Sequence, residues 1–187
     1  SFRQSPSVST AKDAVGDFTL GFNEKTGEFV CYYDYIPAWY INKGSTLISS
    51  SPDSDQVWEH GVGTPNNFYG VQYPSSITLH VAPPGHEVIL NSASYKLEAT
   101  DSAGRDLPTT GLTHVEVYND YQTSGKVALQ IRKNAFKKFR NWKINLPREQ
   151  GMRERMRSAW GFVKFTFDNP EGNNLILHNI SIFYTEH

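Results

Sequence analysis

The chain has 187 residues, enough for one substantial hydrophobic core or for two small domains. Its formal net charge is −1 and its mean hydropathy is −0.51, and no apolar run approaches the roughly 20 residues of a membrane helix, which excludes such a span. The single cysteine, Cys31, excludes an internal disulfide, and its apolar neighbours predict a buried, unreactive thiol. An aromatic content of 13% favours β-strands over helices.

The N-terminal part of the sequence predicts an extended arm followed by a hairpin. Residues 1–16 are polar and can bury little apolar surface, so we expect an arm that runs along a neighbouring molecule. Asp17–Phe22 and Glu28–Tyr33 are predicted strands, joined by a turn that Asn23 opens and Gly27 completes. The chain starts without Met, which favours a fragment of a larger protein.

The next segment is dense in aromatic side chains. Pro37 lacks the N–H that a central strand needs, which indicates an edge strand or a corner of the sheet. The rings around it are too many for one core face, and a ring with a polar tip suits a subunit border. We therefore expect part of this cluster to lie at an interface: Tyr32, Tyr33, Tyr35, Trp39 and Tyr40.

Short strands with Gly, Pro and Asn in the loops continue to the C-terminus. The predicted strands are Thr46–Ser50, Gln56–His60, Ser76–Val81, Glu87–Leu90, Tyr95–Ala99, His114–Tyr118, Lys126–Arg132, Asn141–Leu146, Trp160–Asp168 and Asn174–Tyr184. Pro83, Pro84 and Gly85 mark a candidate internal boundary. Only Glu149–Ser158 resembles a helix. The pattern predicts an all-β fold, an antiparallel β-sandwich or jelly-roll-like domain over residues 17–187.

The basic run Ile131–Arg157 contains ten of the eighteen Lys and Arg residues and only two acids. It can be interpreted as a contact for polyanions, with rings stacking on bases. It can also be a strand followed by a basic turn that faces an acidic neighbouring subunit. We favour the second interpretation because the apolar residues alternate closely enough to form one buried face: Phe136, Phe139, Trp142, Ile144 and Leu146.

No catalytic, metal or cofactor site is predicted. The six His residues show no metal-ligand spacing, and no nucleophile elbow or phosphate-binding loop is present. Asp53, Asp55 and Glu59 beside His60 are interpreted as solvated acids next to a surface imidazole. The chain is therefore predicted not to be an enzyme.

Several segments, in their order along the chain, resemble one family. They are FNEKTGEFVCYYDYIPAWYI, VWEHG with NNFYGVQYPSSI, HVEVYNDYQ, FRNWKINLPRE and MRSAWGFVKFTFDNPEGNNLILHNISIFY. This set resembles the C-terminal region of the large tail proteins of crAss-like bacteriophages, called stabilisation or muzzle proteins, from Phe18 to Tyr184. The resemblance brings no catalytic residues, and it implies core and interface positions at Trp39, Trp58, Tyr69, Trp142 and Arg148.

The resemblance implies a structural protein of the virion that stabilises or closes the distal tail and DNA-exit channel. Its expected partners are copies of itself, its own upstream region, other tail proteins and DNA in the channel, with assembly in the host bacterial cytoplasm. The candidate interface residues are Tyr35, Trp39, Tyr40, Trp58, Tyr69, Arg140, Trp142, Arg148, Arg153, Arg155 and Arg157.

Two other functions stay open on the sequence alone. One is a non-catalytic carbohydrate-binding module in which Tyr32–Tyr40 and Trp58 stack on sugars. The other is a nucleic-acid-binding β domain that uses the basic residues between 132 and 157, centred on Lys133–Lys143.

Overall fold

The computed structural model describes residues 2–3 and 17–186. These residues form an all-β protein with antiparallel strand pairs, as predicted, and they contain no helix. The chain divides into two compact units: unit one takes its described residues from Ser1–Gly63 and Asn67–Tyr73, and unit two takes them from Thr64–Asn66 and Pro74–His187. The predicted arm at residues 1–16 lies outside the described residues except for Phe2–Arg3.

Unit one contains three small sheets. The strands β1 (Phe2–Arg3), β2 (Asp17–Asn23) and β3 (Glu28–Tyr33) form the first, in that order. The second contains β4 (Trp39–Lys43), β5 (Thr46–Ser50) and β6 (Val57–Glu59), and the third pairs β7 (Asn67–Phe68) with β8 (Val71–Gln72). The predicted β2–β3 hairpin is confirmed: Gly27 has a φ of 71° and its N–H donates to the Asn23 carbonyl at 2.8 Å.

Unit two contains nine strands. They are β9 (Ser75–Val81), β10 (Val88–Thr100), β11 (His114–Tyr118), β12 (Val127–Ala128), β13 (Ala135–Lys138), β14 (Asn141–Asn145), β15 (Arg157–Ser158), β16 (Gly161–Phe167) and β17 (Asn174–Glu186). One sheet has β10 between β17 on one side and β14 and β15 on the other, with β13 beyond β14. The other has the order β12-β11-β16-β9. The turn at Pro83–Gly85 lies inside this unit, between β9 and β10.

The core of unit two lies between its two sheets. Strand alternation directs Tyr95, Trp142 and Ile144 inward from one sheet, and Val163 and Phe165 inward from the other. All five side chains are almost completely buried. Burial of apolar surface at about 25 cal/mol per Å² is the main source of stability for such a sandwich.

The strand β10 corrects one prediction. Glu87–Leu90 and Tyr95–Ala99 were expected to be separate strands, but residues 88–100 run as one strand. The intervening Asn91–Ser94 includes no Gly or Pro, and Ala93 is buried in the core. On the β17 side the register shifts twice, between Leu90 and Ser92 and between Lys96 and Leu97, and the strand continues through both.

Two further predictions in the basic part of the chain are wrong. Lys126–Arg132 contributes only the two-residue β12, because Gln130 ends it by accepting three backbone N–H bonds from the turn that follows. Glu149–Ser158 is a turn followed by β15 rather than a helix. The Glu149 carboxylate accepts the N–H groups of Gly151 and Met152 at 2.8 and 2.6 Å, which stabilises a tight turn in place of a helix.

Candidate interaction surfaces

The side chain of Tyr35 forms the centre of unit one rather than part of its surface. It is 6% exposed, and its ring lies 4.4 Å from that of Phe68 and 5.0 Å from the His60 imidazole. Tyr69 packs against it edge to face at 5.5 Å. Burial raises the pKa of Tyr35 to about 12. Of the ring cluster predicted for an interface, Tyr35 therefore contributes to the core.

A buried hydroxyl connects two of these rings. The Ser49 Oγ lies 2.5 Å from His60 Nε2 and 2.6 Å from the Tyr69 hydroxyl, and Ser49 is 1% exposed. His60 is therefore not the surface imidazole that the sequence suggested, and burial lowers its pKa. The Ser–His contact resembles a nucleophile with its base, but a hydroxyl this deeply buried serves the packing of unit one. The sequence signal for it was a serine directly after Leu47 and Ile48 in the predicted strand Thr46–Ser50.

The edge strands of unit one expose large apolar side chains. Strand β3 is an edge of its sheet and exposes Phe29 and Tyr32, and β4 is an edge of the next sheet and exposes Trp39, Tyr40 and Ile41. Phe29 and Tyr32 are 67% and 73% exposed. We call these five residues the aromatic edge of unit one. Exposed apolar side chains on unpaired strand edges favour pairing with another chain.

Unit one carries a net negative charge. Its described residues contain three basic residues, Arg3, Lys25 and Lys43, against seven acids: Asp17, Glu24, Glu28, Asp34, Asp53, Asp55 and Glu59. A partner that binds the aromatic edge would therefore contact apolar side chains on a unit with a net negative charge.

Trp58 and Tyr69 lie in the interior of unit one more than on its surface. Both are half-buried, and their rings meet nearly perpendicularly at 6.0 Å. The Trp58 Nε1 is buried without a hydrogen-bond partner within the described residues. Tyr69 has a left-handed φ of 54°, an unusual backbone conformation for an aromatic residue.

The basic run folds into a hairpin of β13 and β14, and its rings divide between two faces. Trp142, Ile144 and Leu146 are buried, as predicted. Phe136 and Phe139 are 47% and 83% exposed, which contradicts the prediction of one buried face. The reason is the turn at Phe139 and Arg140: it separates two strands and places Phe136 opposite Lys143 on the outer face.

Arg140 is the one candidate arginine that forms an ion pair within the described residues. Its Nη1 lies 2.5 Å from Glu98 Oε1, and His178 Nε2 lies 3.3 Å from the same oxygen. The pair is solvent-exposed, so it contributes little to stability and mainly neutralises Glu98.

The arginines after the hairpin are exposed: Arg148, Arg153, Arg155 and Arg157. Arg155 donates to Asn91 Oδ1 at 2.9 Å, and Arg148 approaches the Arg153 carbonyl at 3.4 Å. Within the described residues none of the four pairs with a carboxylate. The guanidinium groups of Arg153 and Arg157 therefore remain available for a partner, whereas those of Arg148 and Arg155 are partly engaged.

A cavity of about 320 Å³ opens at one end of the sandwich of unit two. It is lined by polar groups, including Thr110, Asp168 and Asn173, and by the buried ring of Trp142. Asp168 is held by His114 Nδ1 at 2.9 Å and by Lys126 Nζ at 3.6 Å.

Residues 17–186 contain no group of three or more His, Cys, Asp or Glu side chains that could hold a metal ion. The same range holds no helix with the length and hydropathy to cross a membrane.

Comparisons with known proteins confirm the resemblance seen in the sequence. Residues 63–149 match the family model described as the Crassvirus muzzle protein C-terminal domain. The chain is also 27% identical over 175 residues to the muzzle protein of Bacteroides phage crAss001. That alignment covers 90% of this chain and 12% of the relative, so the chain spans about an eighth of the relative's length.

Proposed function

Because the chain resembles the C-terminal part of muzzle proteins of crAss-like phages over nearly its whole length, we propose that it is a structural component of a phage virion. The observation that carries this proposal is the alignment of 90% of the chain with one muzzle protein. The proposed role is non-catalytic, in keeping with a relative that is a muzzle protein and with a Ser49 hydroxyl shielded from solvent.

The role in the tail is assembly with copies of the chain, with its own upstream region and with neighbouring tail proteins. The aromatic edge of unit one supports this role, since exposed rings on strand edges supply apolar area and unpaired backbone groups to a partner. The exposed arginines Arg148, Arg153 and Arg157, which form no ion pair with the described carboxylates, would meet carboxylates of a neighbour, because complementary charge fixes partner and register.

Within the tail, the assembled chains would stabilise or close the distal end of the DNA-exit channel and contact DNA that passes through it. Assembly would take place in the host bacterial cytoplasm before the virion is released. Arg140 and Trp142 would contribute indirectly, one by neutralising Glu98 and the other by holding the hairpin in the core.

Electron cryomicroscopy of the phage that encodes this chain tests the proposal. We expect density for units one and two, repeated by symmetry, at the end of the tail away from the capsid. Absence of the chain from purified virions, established by mass spectrometry of their proteins, would rule the proposal out.

A further inference from the structure

The outer face of the five-stranded sheet in unit two presents a regular array of small polar and basic side chains. The strand register aligns one row across four strands, from Phe136 through Lys143 and Ser94 to Ser181. All four lie opposite to the inward-facing Ala93, Trp142 and Ile144, and none is buried. We call this the outer sheet face.

A second row contributes most of the charge. It runs from Lys138 through Asn141 and Lys96 to Asn179, all exposed. Together with Lys143 this places three lysines on one face. The acid on the same side of β10 is Glu98, and Arg140 neutralises it. The outer sheet face is therefore clearly positive.

Two exposed rings stand at opposite margins of the face. Phe136 lies on β13, and Phe183, which is 50% exposed, lies on β17 opposite Ser92. Three strand spacings separate the two strands, which is about 14 Å. The lysines and serines lie between the rings, so a strand of bases could stack at the margins while its phosphates meet the lysines.

We propose that the outer sheet face of unit two binds single-stranded nucleic acid. The lysines and serines between the rings distinguish this face from a typical protein-binding surface, because Lys and Ser are depleted from protein–protein interface cores. Lysine ammonium, serine hydroxyl and asparagine amide groups are donors to phosphate and sugar oxygens. A five-stranded sheet face is too wide for the undistorted major groove of a duplex, which admits an α-helix or a two-stranded ribbon, whereas unpaired bases can stack on exposed phenylalanines.

The turn of the hairpin supports the same conclusion. Phe139 has a φ of 57°, a left-handed backbone conformation that is energetically unfavourable for any residue with a Cβ. Its ring is almost fully exposed. A strained, solvent-exposed ring between Lys138 and Arg140 adds nothing to the core. Beside a nucleic acid strand it would add a third stacking ring.

Fluorescence anisotropy with labelled single-stranded DNA and single-stranded RNA oligonucleotides tests the inference on the full chain. We expect binding to at least one of the two, tighter than to a duplex of the same length. With three lysines engaged, the logarithm of the association constant should fall with the logarithm of the salt concentration at a slope of about −2.

Matched variants locate the site. The double variant Lys138→Ala, Lys143→Ala should weaken binding at least about tenfold, whereas Lys25→Ala, Lys43→Ala, which removes the same charge from unit one, should leave it within about twofold. Phe136→Ala with Phe183→Ala should also weaken binding, and Phe29→Ala should not. Circular dichroism confirms that each variant is folded.

Binding of nucleic acid to the outer sheet face does not depend on the proposed role in the tail, and different experiments would disprove each. Equal losses in the two lysine double variants, a salt slope near zero, or poly-glutamate binding as tightly as the oligonucleotides would overturn the nucleic-acid site. None of these results bears on whether the chain is part of the virion.

Discussion

The Trp142 ring packs directly on Gly111: a Cβ at Gly111 would lie 2.9 Å from Trp142 Cζ2. Trp142 is in turn stacked on Tyr95, at 5.9 Å between ring centres and 12° between planes. The glycine thus allows the chain before β11 to approach the core of unit two more closely than any other residue type would.

Gly111→Ala should therefore destabilise unit two by about 1–3 kcal/mol, the usual cost of overpacking a core. Gly111 does not have a positive φ, so the effect is steric rather than conformational. Urea unfolding followed by tryptophan fluorescence measures it. Gly161→Ala is the control, because a Cβ there meets ordinary contacts at 3.5 Å and should change stability little. Equal effects of the two substitutions would contradict the packing described.

Phe139→Gly should stabilise the protein by about 1 kcal/mol. Glycine adopts the left-handed φ of 57° without the steric cost of a Cβ, and the exposed ring gives up little burial. Phe136→Gly is the matched comparison: it removes an exposed ring from a regular strand position and should destabilise instead. Thermal unfolding of both variants beside the parent chain shows whether the signs differ.

The stability of unit one should fall as the pH drops below 6.5. Burial lowers the pKa of His60 from its ordinary value of 6.5, so the folded protein keeps the ring neutral while the unfolded chain takes up a proton. The contribution of the neutral His60 ring to the stability of unit one is therefore fully present above pH 6.5. It is lost as the pH falls through the pKa of His60 in the folded protein. The effect is modest, because the ring is only half-buried.

His60→Gln removes this titration, so the stability of the variant should change less between pH 7.5 and pH 5.5 than that of the parent chain. The parent chain, measured at the same two pH values, is the reference. Denaturant unfolding at the two pH values provides the comparison. A His60→Gln variant with the parent's full pH dependence would show that other groups carry it.

Phe29→Lys should abolish self-association of the chain without unfolding it. The side chain is exposed on the edge strand β3, so the substitution costs little in the monomer but places a charge in the proposed contact. Thr26→Lys adds the same charge in the adjacent turn and serves as the control. Light scattering after size exclusion gives the mass of each. Loss of association in both variants would point to net charge rather than to the aromatic edge.

Local patterns in the sequence predicted much of the strand content. His114–Tyr118 was predicted with its observed bounds, since its apolar residues alternate and its loops are marked by glycine. Trp142 and Ile144 were correctly placed in the core for the same reason. The position of Phe136 was predicted wrongly because the sequence around Phe139 does not signal a turn. The two-residue turn pairs Phe136 with Lys143, so Phe136 shares the outer face of Lys143 and not the inner face of Trp142.

The candidate sites were harder to predict because their members come from distant parts of the chain. Ser49, His60 and Tyr69 meet only once β5 and β6 have paired and the following loop has folded. Lys96 and Phe183 join the face formed by the basic run through the pairing of β10 with β14 and β17. The spacing of residues along the sequence does not reveal which distant strands will pair.

The long strand β10 also has a consequence for how the protein is made. Val88 pairs with Glu186 and Thr100 with Asn174, so one flank of β10 stays unpaired until residues 174–186 have been synthesised. Such non-local pairing closes slowly. A ribosome would therefore have to finish β17 before unit two could shield its interior, and a chain interrupted before residue 174 would expose that interior to proteases and to aggregation.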